Sequence, residues 1–549
     1  MNQKLLTLLA FNLLVATSSI AMIPGEEPTE KTSKKEESEE ELEEFYTPLA
    51  AQAAEQLGAV PYSRVASFAG ASQEPFLLDQ MTPVLLAKIA AALPNWQSFV
   101  RFATSCRAFR EAASFAIINF FRLRREPVLQ EQAQFIHDLS LEYPMQALRI
   151  FITDNMQIDS ILELLKVRAS QLHTVELTFA QAIPLESLQS LLAILTKIPN
   201  LTSLGLDLSY NRLEFTGIEA LASALLQMSH LQVLHLYINC NLLVDHDISE
   251  LALALGQLTD LNELDLNISD NRAVYTNSGV ILADALARLT KLRSLVLEMR
   301  YYRLGDAGIM NMANSLRGLT QLRRLHLDLS HTSVSDDQHE RLGRIILAQV
   351  LGELTHLREL HLNLRFNPIN AAEAQALAQT LGQLIHLQQL HLYLGNTNIE
   401  NETVGRAELT LALGQLFQLQ ELHLDLSDNT IENTSIINLA LALKQLTQLR
   451  RLHLDLSENS AISELPLISL IMQLPHLQKL HLHLKRNLLG NTQAQLLAFA
   501  LTQLRSVQEL NLDLTKNEIG TEGLQSLKRI FKLLPNLKRH RLIIHPPEY

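Results

Sequence analysis

Seven histidines recur in step along the chain, each between two leucines: His235, His326, His361, His391, His423, His453 and His481. Imidazole can hold a metal, move a proton or offer a polar ring to a partner. Two residues further on runs a second polar series: Asp207, Tyr237, Asn267, Glu298, Asp328, Asn363, Tyr393, Asp425, Asp455, His483 and Asp513. His453, His481 and His483 form the one trio that suggests zinc, because three imidazoles leave a coordination position open. No supporting partners for those rings are visible in the sequence, and the same motif recurs where no trio can form. No metal, cofactor or catalytic residue is therefore assigned. The chain contains no GxxxxGK[ST] phosphate loop, no HExxH, no GxSxG and no GxGxxG following a strand, which argues against an enzyme with a conventional motif.

The elements that must position these side chains are read from the residues between them. Residues 419–431, LQELHLDLSDNTI, return in close copies every thirty or so residues, the period of a solenoid. The LxLxL core stands at Leu204, Leu234, Leu264, Leu295, Leu325, Leu360, Leu390, Leu422, Leu452, Leu480 and Leu510, with weaker copies at Leu148, Val175 and His540. Leu422, Leu424 and Leu426 alternate with His423 and Asp425, so the leucines face one side of a strand and the polar pair the other. Ser427-Asp428-Asn429 is turn chemistry, and Leu439, Leu443 and Leu446 follow at helical spacing. Each unit reads strand, turn, helix, turn. One unit cannot cover its own leucines, whereas stacked units bury them against each other. Strands stack at about 4.8 Å and helices at about 10 Å, so the stack bends with its strands inside.

An asparagine stands seven residues after the first strand leucine at Asn211, Asn241, Asn271, Asn367, Asn429, Asn459, Asn487 and Asn517. A short amide there can satisfy backbone groups left unpaired in a tight buried turn. The series breaks at Tyr302 and Thr332 and is expected to shift at Asn396-Thr397. Two units are long, and their extra residues, 336–343 and 400–408, are expected to form loops or extended helices.

These repeats resemble the leucine-rich repeat family, in its long, helix-bearing, ribonuclease-inhibitor-like subtype. LGDAG at 304–308 and IGTEGL at 519–524 look like that subtype's entry into the helix. The LxLxL strand is two residues longer than the usual LxLxxN spacing, an insertion that keeps the in/out alternation. The resemblance implies an α/β leucine-rich repeat solenoid over 148–549, a horseshoe with parallel strands on its concave face and helices outside. A protein target on that concave face would meet His235, Tyr237, His326, Asp328, His361, His391, Tyr393, His423, Asp425, His453, Asp455, His481 and His483. The plain alternative is that histidine is merely tolerated at an exposed strand position.

Composition agrees with this reading. The 549 residues are 47% hydrophobic but only 5% aromatic, as leucine-dominated packing requires, and the formal net charge is −13. That charge, with no basic groove interleaved with aromatics, leaves nucleic acid a poor partner. Two cysteines, Cys106 and Cys240, exclude a disulfide framework. Residues 1–21, with Lys4 ahead of an apolar run and Ser19 and Ala21 at peptidase spacing, read as a signal peptide. Export would leave a mature chain with no membrane-spanning segment. Residues 22–80 are expected to be an acidic, disordered linker; 26–44 hold ten Glu against three Lys.

Residues 81–126 lack the LxLxL pattern and read as short helices, followed by a connecting helical segment over 127–147. The module resembles an F-box through Pro83, Leu85, Leu86, Ile89, Leu93, Pro94, Phe99, Val100, Cys106 and Phe109. It departs from that pattern at its start, where Met81-Thr82-Pro83 stands for Leu-Pro. The resemblance implies docking to a Skp-type adaptor of a cullin ubiquitin ligase, with the repeats holding the substrate. A signal peptide and an F-box conflict in one compartment. They are reconciled if an intracellular bacterium secretes the protein as an effector into host cytoplasm. The alternative is a secreted or periplasmic repeat protein that binds or inhibits its partner directly, with 81–126 a solenoid cap.

Overall fold

The computed structural model describes residues 147–152, 158–271, 276–332, 342–399, 403–431, 433–459 and 476–544. The expected signal peptide, acidic linker, F-box-like module and nearly all of the connecting segment lie outside them. The chain divides into two compact units, residues 1–181 with 197–200 and residues 182–196 with 201–549. In the first, β1 (Ala147–Ile152), α1 (Ile158–Arg168) and β2 (Thr174–Phe179) make one strand–helix–strand step. β1 and β2 are parallel, with Leu148, Ile150 and Ile152 in register with Val175, Leu177 and Phe179, and all six side chains are buried.

The second unit iterates that step. It opens with α2 (Leu185–Leu195) and continues through β3 (Ser203–Asp207), α3 (Glu214–Leu225), β4 (Val233–Tyr237), α4 (Asp245–Leu255), β5 (Glu263–Asn267), α5 (Thr276–Ala287), β6 (Ser294–Glu298), α6 (Gly305–Arg317) and β7 (Arg324–Asp328). It goes on with α7 (Leu342–Glu353), β8 (Glu359–Asn363), α8 (Ala371–Gln383), β9 (Gln389–Tyr393), α9 (Thr403–Leu413), β10 (Glu421–Asp425), α10 (Asn433–Gln445) and β11 (Arg451–Asp455). The last described elements are β12 (Lys479–His483), α11 (Asn491–Leu501), β13 (Glu509–Asp513), α12 (Thr521–Leu533) and β14 (Arg539–Ile543). Strands β3 to β14 lie in sequence order, each parallel to the next. The fold is an α/β leucine-rich repeat solenoid.

The pleat explains the core. Leu422 and Leu424 are each 1% exposed and face α10, whose Leu439, Ala440 and Leu443 are buried with them, as is Leu446 just past the helix end. The small residues in each helix permit close neighbours. A Cβ added to Gly256 would come within 3.1 Å of the Ala285 backbone, so glycine is what lets the chain leaving α4 lie against α5. His540, the last copy's counterpart of a strand leucine, is exposed and stacks on Phe531 at 4.4 Å.

The asparagine ladder forms. Asn459 Nδ2 donates to the carbonyls of Leu426 (3.0 Å), Leu456 (3.1 Å) and Ser457 (3.0 Å). Its Oδ1 accepts from the backbone N–H of Asn429 (3.1 Å) and Ile431 (2.8 Å). One buried amide thus satisfies five backbone groups across two repeats. The expected shift at Asn396-Thr397 does not occur. Thr397 occupies the ladder site, donating from Oγ1 to the Leu394 carbonyl at 2.8 Å, and Thr332 does the same with Leu329 at 2.7 Å. A hydroxyl replaces the amide without moving the backbone, so Asn396 is left exposed. At the other break the buried Tyr302 hydroxyl bonds Ser278 instead. Of the two insertions, 403–408 belong to α9 and 342–343 to α7; 336–341 and 400–402 lie outside the described residues.

Candidate partner-binding face

Side chains between the strand leucines point away from the helices, and parallel register sets them in columns. His326, His361, His391, His423, His453 and His481 occupy one column on six successive strands, β7 to β12. Their rings form a continuous stack. The rings of His326 and His361 are nearly parallel with centroids 3.7 Å apart, and those of His423 and His453 are also 3.7 Å apart with their planes at 30°. His361–His391 (5.0 Å), His391–His423 (5.1 Å) and His453–His481 (5.4 Å) meet tilted or edge-on. His235 does not join, because Asp265 and Val296 hold the column on β5 and β6; its Nε2 lies 3.4 Å from Glu263 Oε1.

This packing sets the charge. Burial, with repulsion from His326 and His391, lowers His361 to about 3. Burial and neighbouring imidazoles likewise lower His423 to about 4 and His453 to about 3. Burial also depresses His326 and His391, although Asp328 opposes it at the first and Glu421 at the second. These five imidazoles are therefore neutral at pH 7. His483 differs, since its contact with Asp455 (Nδ1 to Oδ2, 3.6 Å) holds it above the ordinary imidazole range. Asp455 in turn is lowered: burial pushes it up, but bonds from His483 and Ser457 outweigh that.

Charges beside the stack are paired. Arg324 meets Glu359 at 2.7 Å, Arg451 meets Glu421 at 2.8 Å and Lys479 meets Glu509 at 3.0 Å. Arg365, whose role was not anticipated from the sequence, lies past the end of β8. Its Nε reaches 2.9 Å from Oδ2 of Asp425, a carboxylate 3% exposed. The guanidinium crosses Gly395, where a Cβ would sit 2.9 Å from both Arg365 Nε and Asp425 Oδ2. Glycine at that point of the repeat is what lets the pair form. Burial still raises Asp425, against its bonds from Ser427 and the Arg365 charge.

The strands before the stack are built differently. β4, β5 and β6 carry no Lys or Arg, while Glu263, Asp265 and Glu298 lie on β5 and β6 and Asp328 on β7. Neutral donors hold three of these carboxylates: Tyr237 Oη donates to Asp265 at 2.5 Å, Asn267 to Glu298 at 2.5 Å and Asn363 to Asp328 at 2.9 Å. Burial raises Asp265, the Tyr237 bond only partly offsetting it, and burial with repulsion from Asp265 and Asp328 raises Glu298. Asp265 is not among the expected partner residues because it interrupts the histidine series; its place in the repeat column puts it there.

At the edge of this face, the residue before each ladder position takes left-handed backbone, among them Tyr301 (φ 60°), His331 (φ 56°) and Phe366 (φ 58°). Their half-exposed rings stack at 4.4 and 4.1 Å, with Arg300 over Tyr301 at 4.8 Å.

Chemically, the face offers fixed, half-buried polar groups to a partner. Among the described residues no group of three or more His, Cys, Asp or Glu is arranged to hold a metal ion; His453 meets the rings of His481 at 5.4 Å and of His483 at 4.6 Å. No helix among the described residues is long and apolar enough to cross a membrane. The adaptor-binding residues expected from Pro83 to Phe109 lie outside the described residues.

No protein-family model matches the chain, and no curated protein matches it. Among solved structures it is similar to an internalin of Listeria monocytogenes, with 22% identity, a TM-score of 0.35, and 63% of this chain and 82% of that one covered. It is also similar to a chain of the yeast Rad7–Elc1 complex, at 15% identity and a TM-score of 0.40 over 81% and 98% of the two chains. A third similarity is to a chain of the TLR13–ssRNA13 complex, at 16% identity and a TM-score of 0.34 over 74% and 56%.

Proposed function

We propose that this protein is a non-enzymatic recruiter whose open strand face holds a protein target. The observation that carries this reading is the face itself: two columns of half-buried polar side chains, held by ring stacking and hydrogen bonds, on a sheet side that no helix of the repeat covers. Pre-ordered polar groups of this kind lose little entropy when a partner arrives. In this proposal the F-box-like module at 81–126 binds a Skp-type adaptor, and the bound target is presented to a cullin ubiquitin ligase. The signal peptide adds export by a bacterium and action as an effector in host cytoplasm. The support for the adaptor role is the sequence pattern at Leu85, Leu86, Ile89 and Leu93 directly ahead of the repeats.

A pull-down with purified Skp adaptor tests the recruiter. The wild type is expected to retain the adaptor and Leu85→Asp/Leu86→Asp to lose it. Equal retention by both, or retention by neither, would contradict the adaptor role and favour the direct binder, for which 81–126 is a cap. Deleting 81–126 separates the two further: a recruiter keeps folded repeats, whereas a solenoid that loses its cap aggregates.

A further inference from the structure

We infer that the strand face over β4 to β7 receives a Lys/Arg-rich segment of the partner, whose cations sit among Asp265, Glu298 and Asp328. This rests on the reading of the open face as the partner surface and names the chemistry of what binds there.

Several other carboxylates on the face have cations at hand: Asp425 has Arg365, Glu421 has Arg451 and Glu509 has Lys479. Asp265, Glu298 and Asp328 form no ion pair with any described residue, and the strands β4, β5 and β6 supply no cation to them. They are nevertheless oriented. Tyr237, Asn267 and Asn363 each fix one of their oxygens through a neutral hydrogen bond, Ser330 holds the second oxygen of Asp328, and the charge of Arg300 acts on Asp328 without forming an ion pair. Asp265 Oδ1 is shielded from solvent and has no hydrogen-bond partner at all.

Partial burial of three unpaired carboxylates costs the fold stability. An arriving guanidinium or ammonium would remove that cost, and the bonds formed would be charge-assisted. Glu298 and Asp328 are register partners on adjacent strands, so their Cα atoms are about 5 Å apart, a spacing at which one forked guanidinium can address both carboxylates. An acidic segment is repelled from this patch. An apolar one would bury the charges without pairing them. The neutral histidine stack beginning on β7 adds no positive field at pH 7 that would cancel the attraction.

The test is binding of labelled decapeptides to the full-length protein, read by fluorescence anisotropy without any adaptor, so that it is independent of the Skp pull-down. One peptide alternates Arg and Gly, the second Glu and Gly, the third Ser and Gly. The variants are Asp265→Asn/Glu298→Gln/Asp328→Asn, which removes the three charges at nearly constant shape, and Asp284→Asn on the exposed side of α5. Thermal denaturation of each verifies folding. The basic peptide is expected to bind the wild type and Asp284→Asn equally and the triple variant at least about tenfold more weakly, with affinity falling as salt rises. Equal binding of the basic peptide to the wild type and the triple variant would overturn the inference. Preference for the acidic or uncharged peptide would also overturn it, while the strand face would survive as a partner surface if that binding were lost in His423→Asp/His453→Asp. No binding by any of the three peptides would overturn it too, leaving the recruiter to the adaptor experiment.

Discussion

The stretch from β4 to β7 and the stretch from β8 to β12 share one backbone, one register and one leucine core, yet their wet faces are electrostatic opposites. The first sets half-buried carboxylates side by side and steadies them with neutral donors. The second stacks imidazoles that burial keeps uncharged, and pairs its acids with arginine, lysine or His483. A few outward positions per repeat therefore write the surface chemistry, while the leucine core holds those positions at strand spacing. Because the polar columns contribute little to the core, they can differ along the solenoid without disturbing it.

The contrast can be broken most severely at Arg365. Arg365→Ala would leave Asp425 as uncompensated as Asp265 but more deeply buried, and is expected to cost about 2–4 kcal/mol in chemical denaturation. Next comes the histidine stack. The folded values of His361, His423 and His453 (about 3, 4 and 3) lie below the ordinary 6.5. The unfolded chain therefore takes up protons first on acidification. Their contribution is complete above about pH 6.5 and is lost as pH falls through the folded values of about 4 and 3, at least on the order of 1 kcal/mol per histidine. Stability curves at pH 7 and pH 4.5 should converge for His361→Asn/His423→Asn/His453→Asn far more than for the wild type. The smallest effect sharpens the acidic half. Asp265 and Glu298 are raised, so their ionised forms burden the fold at neutral pH. Asp265→Asn/Glu298→Gln should gain about 0.5–1 kcal/mol at pH 7, a gain that vanishes as pH falls below the ordinary carboxylate range.

The leucine alternation and the asparagine series made strands, helices and turns legible in the sequence, because each is a local period repeated many times. The two wet columns were legible for the same reason. What escaped were features that depend on a neighbour. Asp265 matters because Tyr237 one strand away and Glu298 one strand beyond complete its setting. Arg365 matters because its side chain passes over a glycine to reach the second strand along. Thr397 could take the ladder site because only the hydroxyl's reach counts there, which residue type alone did not reveal.

The division of the face is tested most directly by histidine-selective NMR titration of the intact protein. His361, His423 and His453 are expected to stay neutral down to about pH 4, while His483 protonates above the ordinary imidazole value. If all four titrate together near 6.5, the stack is a row of solvated side chains and the two halves are not the distinct surfaces described above.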